Sequence, residues 1–406
     1  MTLARVVVVG GGLAGVSAAR ELRDRGYDGT VTLIDKDAHP YDRPPLSKDF
    51  LLGKIGEDEL ALAKPAWYDD ASIDLRTGVT AVALEPALGT VELSDGSSVQ
   101  SDAVILALGA DARSLGDIQP PHVHVLRTLA DARALRSTLV SGTRLAIVGG
   151  GLIGAEVASS ALALGVEVEL IEPADPPLAP AIGIDLAHSL HRMHVESGVR
   201  VHASGVRGIR SERGCVVVEL TDGTTVTADD VLVGIGSVPV TDLAADAGLE
   251  VDGGIIVDST ARTSNSSVFA AGDSARTRLP DGTLLRRKEH WEAAKLGGQA
   301  AAAAVLGQSQ QSTSADWFWS DRHGVHVEGV GSMTAEGTTV LRAYRDDESG
   351  RIQMAFNLRG ATLLGAAAID GGFAVRAARR LIDQGTAINA GDLADPTFDL
   401  KRLRRS

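Results

Sequence analysis

Two stretches of this chain carry the same pattern, and the duplication constrains the fold more than any other feature. Arg5–Val9 is a run of valines behind one arginine, as a strand buried on both faces of a parallel sheet requires. It leads into Gly10-Gly-Gly12-Leu13-Ala14-Gly15, a helical stretch over 16–25, and a second apolar strand over 31–34 that ends in Asp35. The order recurs downstream. A strand over 145–148 precedes Gly149-Gly-Gly151-Leu152-Ile153-Gly154, then come a helix over 155–164 and a strand over 166–171 that ends in Glu172. In each turn the first glycine permits a tight reversal, the second lets backbone approach a pyrophosphate, and the third allows helix and strand to pack closely. The helix N-terminus faces the phosphates, and the acid accepts from ribose hydroxyls. Each acid follows its turn at roughly the expected spacing of about 20 residues. One such motif alone is often only a tight turn. Two, each with strand, helix and acid in place, predict that the chain binds two dinucleotides.

A third element assigns them. Residues 263–273 end a short strand in Gly272-Asp273, where the carboxylate is set to accept from a ribityl hydroxyl of FAD or, as the alternative, to cap the next helix. Two similar strand ends, over 102–109 and over 230–236 before Pro239, read as crossings between two nucleotide domains. This architecture resembles the flavoprotein disulfide reductase superfamily along about the first 310 residues. The fold class is α/β: two Rossmann-like dinucleotide-binding domains in a glutathione-reductase-like flavoprotein fold, plus a C-terminal α+β domain. The boundaries expected are 1–111 with 241–315 for FAD, 112–240 for NAD, and 316–406 for the C-terminal domain.

Composition removes other classes. The one cysteine, Cys215, excludes a disulfide framework, a four-cysteine zinc site and an intramolecular redox pair; within the alternating segment 215–220 it reads as a small packed hydrophobe. A net charge of −14 argues against nucleic acid as a partner. The chain enters a strand almost at once, without the segments of a signal peptide, and no apolar run reaches the roughly 18 residues of a membrane span. A cytoplasmic protein with no membrane partner is expected. The alanine-rich stretch near Ala300, broken by Lys295 and Gln299, reads as a surface helix. His188, His191 and His194 read as a polar helix face, since no fourth ligand at metal spacing accompanies them, and no metal is expected.

The family narrows where a disulfide would stand. Superfamily members that reduce disulfides carry a cysteine pair near the first helix, whereas Tyr41-Asp-Arg43-Pro-Pro-Leu-Ser-Lys48 has no cysteine. Arg43–Lys48 resembles the flavin-side segment of the FAD-dependent NADH:ferredoxin reductases of oxygenase electron-transfer chains: those serving cytochrome P450 and aromatic-ring dioxygenases, rubredoxin reductases and, more distantly, apoptosis-inducing factor. Asp316-Trp-Phe-Trp-Ser-Asp321, which holds two of the chain's four tryptophans, resembles the start of that family's C-terminal domain. The resemblance covers essentially the whole chain.

It implies an FAD site and an NADH site. For FAD it implies Gly10, Gly12, Leu13, Ala14, Gly15, Asp35, Lys36, Arg43, Lys48, Val79, Ala107, Gly109, Arg127, Gly272, Asp273 and Trp291. For NAD it implies Gly149, Gly151, Leu152, Ile153, Gly154, Glu156, Glu172 and Gly236. Lys48 and Glu156 are the implied catalytic pair at the flavin edge. The chain departs from the family at Gly297, Val240, Asp316 and Leu108, where Gln, Asn, Pro and Thr are common. The implied reaction moves a hydride from NADH to flavin N5 and passes electrons singly to a ferredoxin, a [2Fe–2S] protein by expectation, that feeds an oxygenase. One cysteine cannot ligate a cluster, so the acceptor must be a separate protein. Glu172, followed by 173–181 without Arg or Lys, points to NADH over NADPH. Docking of the ferredoxin is expected near Arg286, Arg287 and Lys288, within a basic group that includes Arg276 and Arg278; a second basic run is Lys401–Arg405. The chain is expected as a monomer or weak dimer. Two other readings stand beside this one: an NADH-dependent flavin dehydrogenase or oxidase acting on a quinone or oxygen, and a redox-sensing protein like apoptosis-inducing factor.

Overall fold

A computed structural model describes residues 3–115, 122–212, 214–308, 314–343 and 352–400. The chain divides into two contact-dense units, one from residues 1–43, 56–111 and 237–312, the other from 44–55, 112–236 and 313–406. The segment 44–55 and the C-terminal residues therefore group with the second nucleotide fold. The basic run Lys401–Arg405 lies outside the described residues.

The first unit is built on a five-stranded parallel sheet in the order Val268–Ala270, Ala103–Leu106, Arg5–Val9, Thr30–Asp35, Ile73–Thr77. Its central valines are at most 5% exposed, because both faces are covered. Helix Leu13–Asp24 follows the glycine turn directly and lies against helix Trp291–Val305. The latter is the alanine-rich stretch, and it is not a surface helix. Ala301–Ala304 are buried, and a Cβ at Gly298 would lie 2.0 Å from the Ala14 carbonyl oxygen. The small residues let two helices approach closely.

The second unit repeats the nucleotide fold in a parallel sheet ordered Arg200–His202, Glu167–Ile171, Arg144–Val148, Asp230–Val233, Val123–His124. A three-stranded antiparallel sheet covers it, and its middle strand, Cys215–Leu220, does not alternate: Val216, Val217 and Val218 are all buried. Cys215 is not a packed hydrophobe. It is only partly buried at the strand start, where Sγ contacts the Glu212 carbonyl at 2.9 Å.

The C-terminal residues of this unit form an antiparallel sheet ordered Trp317–Arg322, Val325–Gly331, Thr362–Ile369, Ile352–Arg359, Thr338–Ala343, with helix Gly372–Gln384 on one face. Helix Ile184–Glu196 packs on the other side of this sheet through Leu186 and Leu190. That packing turns His194 inward, so the three histidines are not one polar face. His194 is 1% exposed and its Nδ1 meets His323 Nε2 at 2.8 Å. No described helix is long and apolar enough to cross a membrane.

Candidate functional site

In the first unit the glycine turn has the geometry its sequence calls for. Gly10 sits at φ +109°, and a Cβ there would lie 2.2 Å from the Ala107 carbonyl oxygen; at Gly15 it would lie 1.8 Å from that of Gly10. Helix Leu13–Asp24 starts from Gly12 with no side-chain cap and no acid in its first turn. Its first N–H groups therefore lack intrahelical partners. A Cβ on Gly12 would meet only Arg43 Nη1, at 3.4 Å. Arg43 Nε is buried with no hydrogen-bond partner among the described residues. An uncapped helix N-terminus beside a buried, unpartnered guanidinium atom fits a pyrophosphate.

Asp35 closes this cradle. It is 7% exposed, and burial pushes its carboxyl above the usual range, against the N–H of Asp37 that holds it down. A Cβ on Gly11 would fall 2.2 Å from its Oδ2, so only glycine fits beside the acid. Lys36 next to it is exposed. The Val79 N–H donates to the Asp35 carbonyl at 3.3 Å, and a Cβ on Gly272 would reach 2.9 Å from Ala14 Cβ. Val79, Ala107, Gly272 and Asp273 are thus grouped around this turn and its acid by the sheet. Gly109 follows strand Ala103–Leu106 at φ +74°, and its carbonyl accepts from Val240. Trp291 opens its helix with the indole N–H donating to Asp42 at 2.9 Å. Asp42 was not among the residues expected; no local pattern marks it, since its partner lies far along the chain.

The second unit holds a copy of the cradle. Gly149 is at φ +105°, and a Cβ at Gly149 or Gly154 would lie 2.3 or 1.9 Å from the carbonyl oxygen of Gly234 or Gly149. Helix Leu152–Ala163 is likewise uncapped, and a Cβ on Gly151 would meet nothing within 4 Å. Ile153 projects beside it, 39% exposed. Glu172 is anchored by two backbone donors, Gly150 N–H at 2.7 Å and Ala174 N–H at 2.8 Å. Gly236, at φ +103°, follows strand Asp230–Val233 and accepts from Arg113.

The same unit brings Lys48 and Glu156 together. Lys48 follows the short helix Pro44–Ser47, whose prolines fix the backbone, and Glu156 lies in the second turn of helix Leu152–Ala163. Their Nζ and Oε1 are 3.5 Å apart. Strand Trp317–Arg322 supplies what the sequence did not reveal. Ser320 Oγ donates to Glu156 Oε1 at 2.7 Å, Asp321 N–H reaches the same oxygen at 3.3 Å, and Ser47 Oγ donates to Oε2 at 2.5 Å. Asp321 Oδ2 is 2.9 Å from Lys48 Nζ, closer than Glu156. Burial works to raise the Asp321 carboxyl, but hydrogen bonds from His326 and Lys48 outweigh it and hold it below the usual range. Arg322 is 3% exposed; burial brings its guanidinium down to about 10, opposed by the negative charges of Glu156 and Asp321. Its Nη2 donates to Ser320 Oγ at 3.0 Å, so the serine links guanidinium to carboxylate. Burial, then the nearby Arg322 charge, push His194 down to about 3.

Arg127 belongs to this unit too. It precedes helix Leu129–Thr138, whose capping box joins Thr128 and Asp131, and its own N–H donates to Asp131 at 3.0 Å. Of the basic group in the first unit, Arg278 pairs with Glu250, Arg276 binds the carbonyls of Asp252 and Leu285, and Arg287 binds the Asp273 carbonyl and Glu289. Arg286 and Lys288 are exposed. No group of three or more His, Cys, Asp or Glu among the described residues is arranged to hold a metal.

Residues 4–300 match the family described as pyridine nucleotide-disulphide oxidoreductase, and 317–404 match that described as reductase C-terminal. The chain is 39% identical over 400 residues to the ferredoxin–NAD(+) reductase component of the anthranilate 1,2-dioxygenase system of Burkholderia cepacia, covering 97% of this chain and 98% of that one. It is 36% identical to rhodocoxin reductase of Rhodococcus erythropolis, covering 98% and 93%. It superimposes on the covalent putidaredoxin reductase–putidaredoxin complex with a TM-score of 0.90 at 30% identity, covering 98% and 97%. The chain therefore belongs to the pyridine nucleotide-disulphide oxidoreductase family, in the branch that carries a reductase C-terminal domain and includes the ferredoxin–NAD(+) reductases of dioxygenase systems.

Proposed function

We propose that this chain is an FAD-dependent NADH:ferredoxin oxidoreductase that takes a hydride from NADH and passes electrons singly to a small iron–sulfur protein serving an oxygenase. The observation that carries the reading is the pair of uncapped, acid-backed glycine turns in one chain that has no redox cysteine at 41–48. Bound FAD supplies the hydride acceptance and the one-electron release. The chain's residues bind and orient. The Gly10–Gly15 turn and Arg43 hold the FAD pyrophosphate, and Asp35 accepts from its ribose. The Gly149–Gly154 turn and Glu172 do the same for NADH. Two backbone N–H groups hold the Glu172 carboxylate where its charge would repel a 2′-phosphate, which supports NADH as the donor. Lys48 places a cation at the flavin edge, with Glu156 beside it. Asp273, Arg127 and Trp291, the last steadied by Asp42, complete the FAD contacts.

The ferredoxin docks near Arg286 and Lys288. Both side chains are exposed, and charge at the docking patch acts locally whatever the net balance of −14. The enzyme works in the cytoplasm. The test is cytochrome c reduction coupled through a purified [2Fe–2S] ferredoxin. NADH should drive it only when ferredoxin is present. Equal NADH consumption without ferredoxin, matched by oxygen or quinone reduction, would overturn the reading.

A further inference from the structure

Lys48 stands between two carboxylates that differ in kind. Glu156 is 6% exposed and already accepts from Ser47 Oγ, Ser320 Oγ and the Asp321 N–H. Through Ser320 it also answers the buried Arg322 guanidinium. Its charge is spent on the protein interior, and the ammonium stands off at 3.5 Å. Asp321 is the opposite case. Its Oδ2 lies 2.9 Å from Lys48 Nζ, and its Oδ1 accepts from His326 Nδ1 at 2.6 Å. His326 is itself pinned. Its backbone N–H donates to Asp370 Oδ1 at 2.7 Å, the Asp370 N–H donates back to its carbonyl at 2.6 Å, and its Nε2 lies 3.9 Å from Glu328. The Trp319 ring, 5.7 Å from the ammonium, limits where the lysine tip can go.

We infer that Asp321, clamped by His326, is the positioning residue that fixes the Lys48 ammonium, and that Glu156 does not do so alone. The inference rests on the reading of Lys48 as the cation at the flavin edge, and it adds a link: the C-terminal sheet sets where that cation stands. A lysine tip is a compact charge on a flexible stem, so the acceptor that holds it most closely decides its position. Asp321→Asn keeps the shape and one acceptor oxygen but removes the charge.

The experiment measures the reduction potential of bound FAD in the holoenzyme, by anaerobic spectroelectrochemistry, together with the FAD dissociation rate. The proteins are wild type, Lys48→Met, Asp321→Asn, Asp321→Glu, His326→Phe and the Lys48→Met/Asp321→Asn double variant. Lys48→Met should shift the potential, and Asp321→Asn should shift it as well. The effect of Asp321→Asn should at least halve once Lys48 is gone, because Asp321 acts through it. Asp321→Glu should return the potential toward wild type, and His326→Phe should give part of the Asp321→Asn shift. A role in stability alone would lower the melting temperature of these variants without moving the potential. If Lys48→Met shifts the potential but Asp321→Asn and His326→Phe do not, positioning by Asp321 is overturned and the flavin-edge reading stands. The same holds if Asp321→Asn acts equally with and without Lys48. If Lys48→Met itself leaves the potential unmoved with FAD fully bound, the flavin-edge reading fails and this inference with it. Should Asp321→Asn not fold, His326→Phe with and without Lys48 carries the same comparison.

Discussion

Glu156→Gln tests whether the carboxylate is held in place by the fold or serves only the flavin. The side chain is 6% exposed, and its nearest buried counter-charge is Arg322, 3% exposed and joined to it through the Ser320 hydroxyl. A hydroxyl separates the two charges and Asp321 also faces Arg322, so the loss is that of a hydrogen bond to a charged group, about 1.5–3 kcal/mol, below the cost of breaking a buried pair in direct contact. Glutamine keeps the volume but offers one acceptor oxygen where Ser47 and Ser320 each donate to a separate one. One hydroxyl then faces an NH2 group, from which it can accept while its own proton turns to another acceptor, as Ser47 can toward the Pro44 carbonyl, so this exchange adds little to the loss. The expected destabilisation is therefore about 1.5–3 kcal/mol in total. Urea unfolding of the holoenzyme at saturating FAD, followed by far-UV circular dichroism, reads it. Glu156→Leu with Arg322→Met should recover part of the loss, since a well-packed apolar pair can replace a buried ionic one. A loss below about 1 kcal/mol for Glu156→Gln, the range of an exposed pair, would refute the reasoning.

Other outcomes follow from the same structure. The fold holds His194 neutral down to about 3, against an ordinary value of 6.5, so below 6.5 the unfolded chain binds a proton that the folded chain does not. Stability is therefore full above that value and falls with pH, by about 2 kcal/mol at pH 5 for this one group; His194→Gln should flatten the decline between pH 7 and pH 5, and an unchanged slope would contradict the assignment. Glu172→Ala should raise kcat/KM for NADPH relative to NADH on the order of tenfold, the equivalent of about 1.4 kcal/mol; a wild-type enzyme that uses NADPH equally well would remove the premise. Arg286→Glu with Lys288→Glu should raise KM for ferredoxin several-fold while NADH-driven reduction of a small dye stays at the wild-type rate. Equal ferredoxin kinetics in that variant would place docking elsewhere.

The nucleotide folds were legible because their signal is local. A glycine turn, its flanking valines and the acid that follows lie within one short stretch, and each of those residues answers to backbone geometry. The partners of Lys48 and Glu156 were not legible, because Asp321 reaches the lysine and Ser320 the glutamate only through a strand far along the chain. Asp316–Asp321 stood out as a signature, yet its spacing does not say that Asp321 would take the lysine more closely than Glu156 does. The strand Thr362–Ile369 carries three consecutive alanines and lacks a β-branched run, so it gave no strand signal. The alanines of helix Trp291–Val305 look exposed by composition, but their small size serves contact with helix Leu13–Asp24. His194 misled for a similar reason: the periodicity of one helix does not show which neighbour will cover it.

The central claim is that two electrons arrive together from NADH and leave one at a time to a ferredoxin. Anaerobic stopped-flow mixing of the holoenzyme with one equivalent of NADH, then with excess [2Fe–2S] ferredoxin, tests it in a single turnover. FAD should bleach rapidly on mixing with NADH and then return to the oxidised form as two ferredoxins are reduced for each NADH consumed. Flavin that is reduced by NADH but stays reduced in the presence of ferredoxin would contradict it.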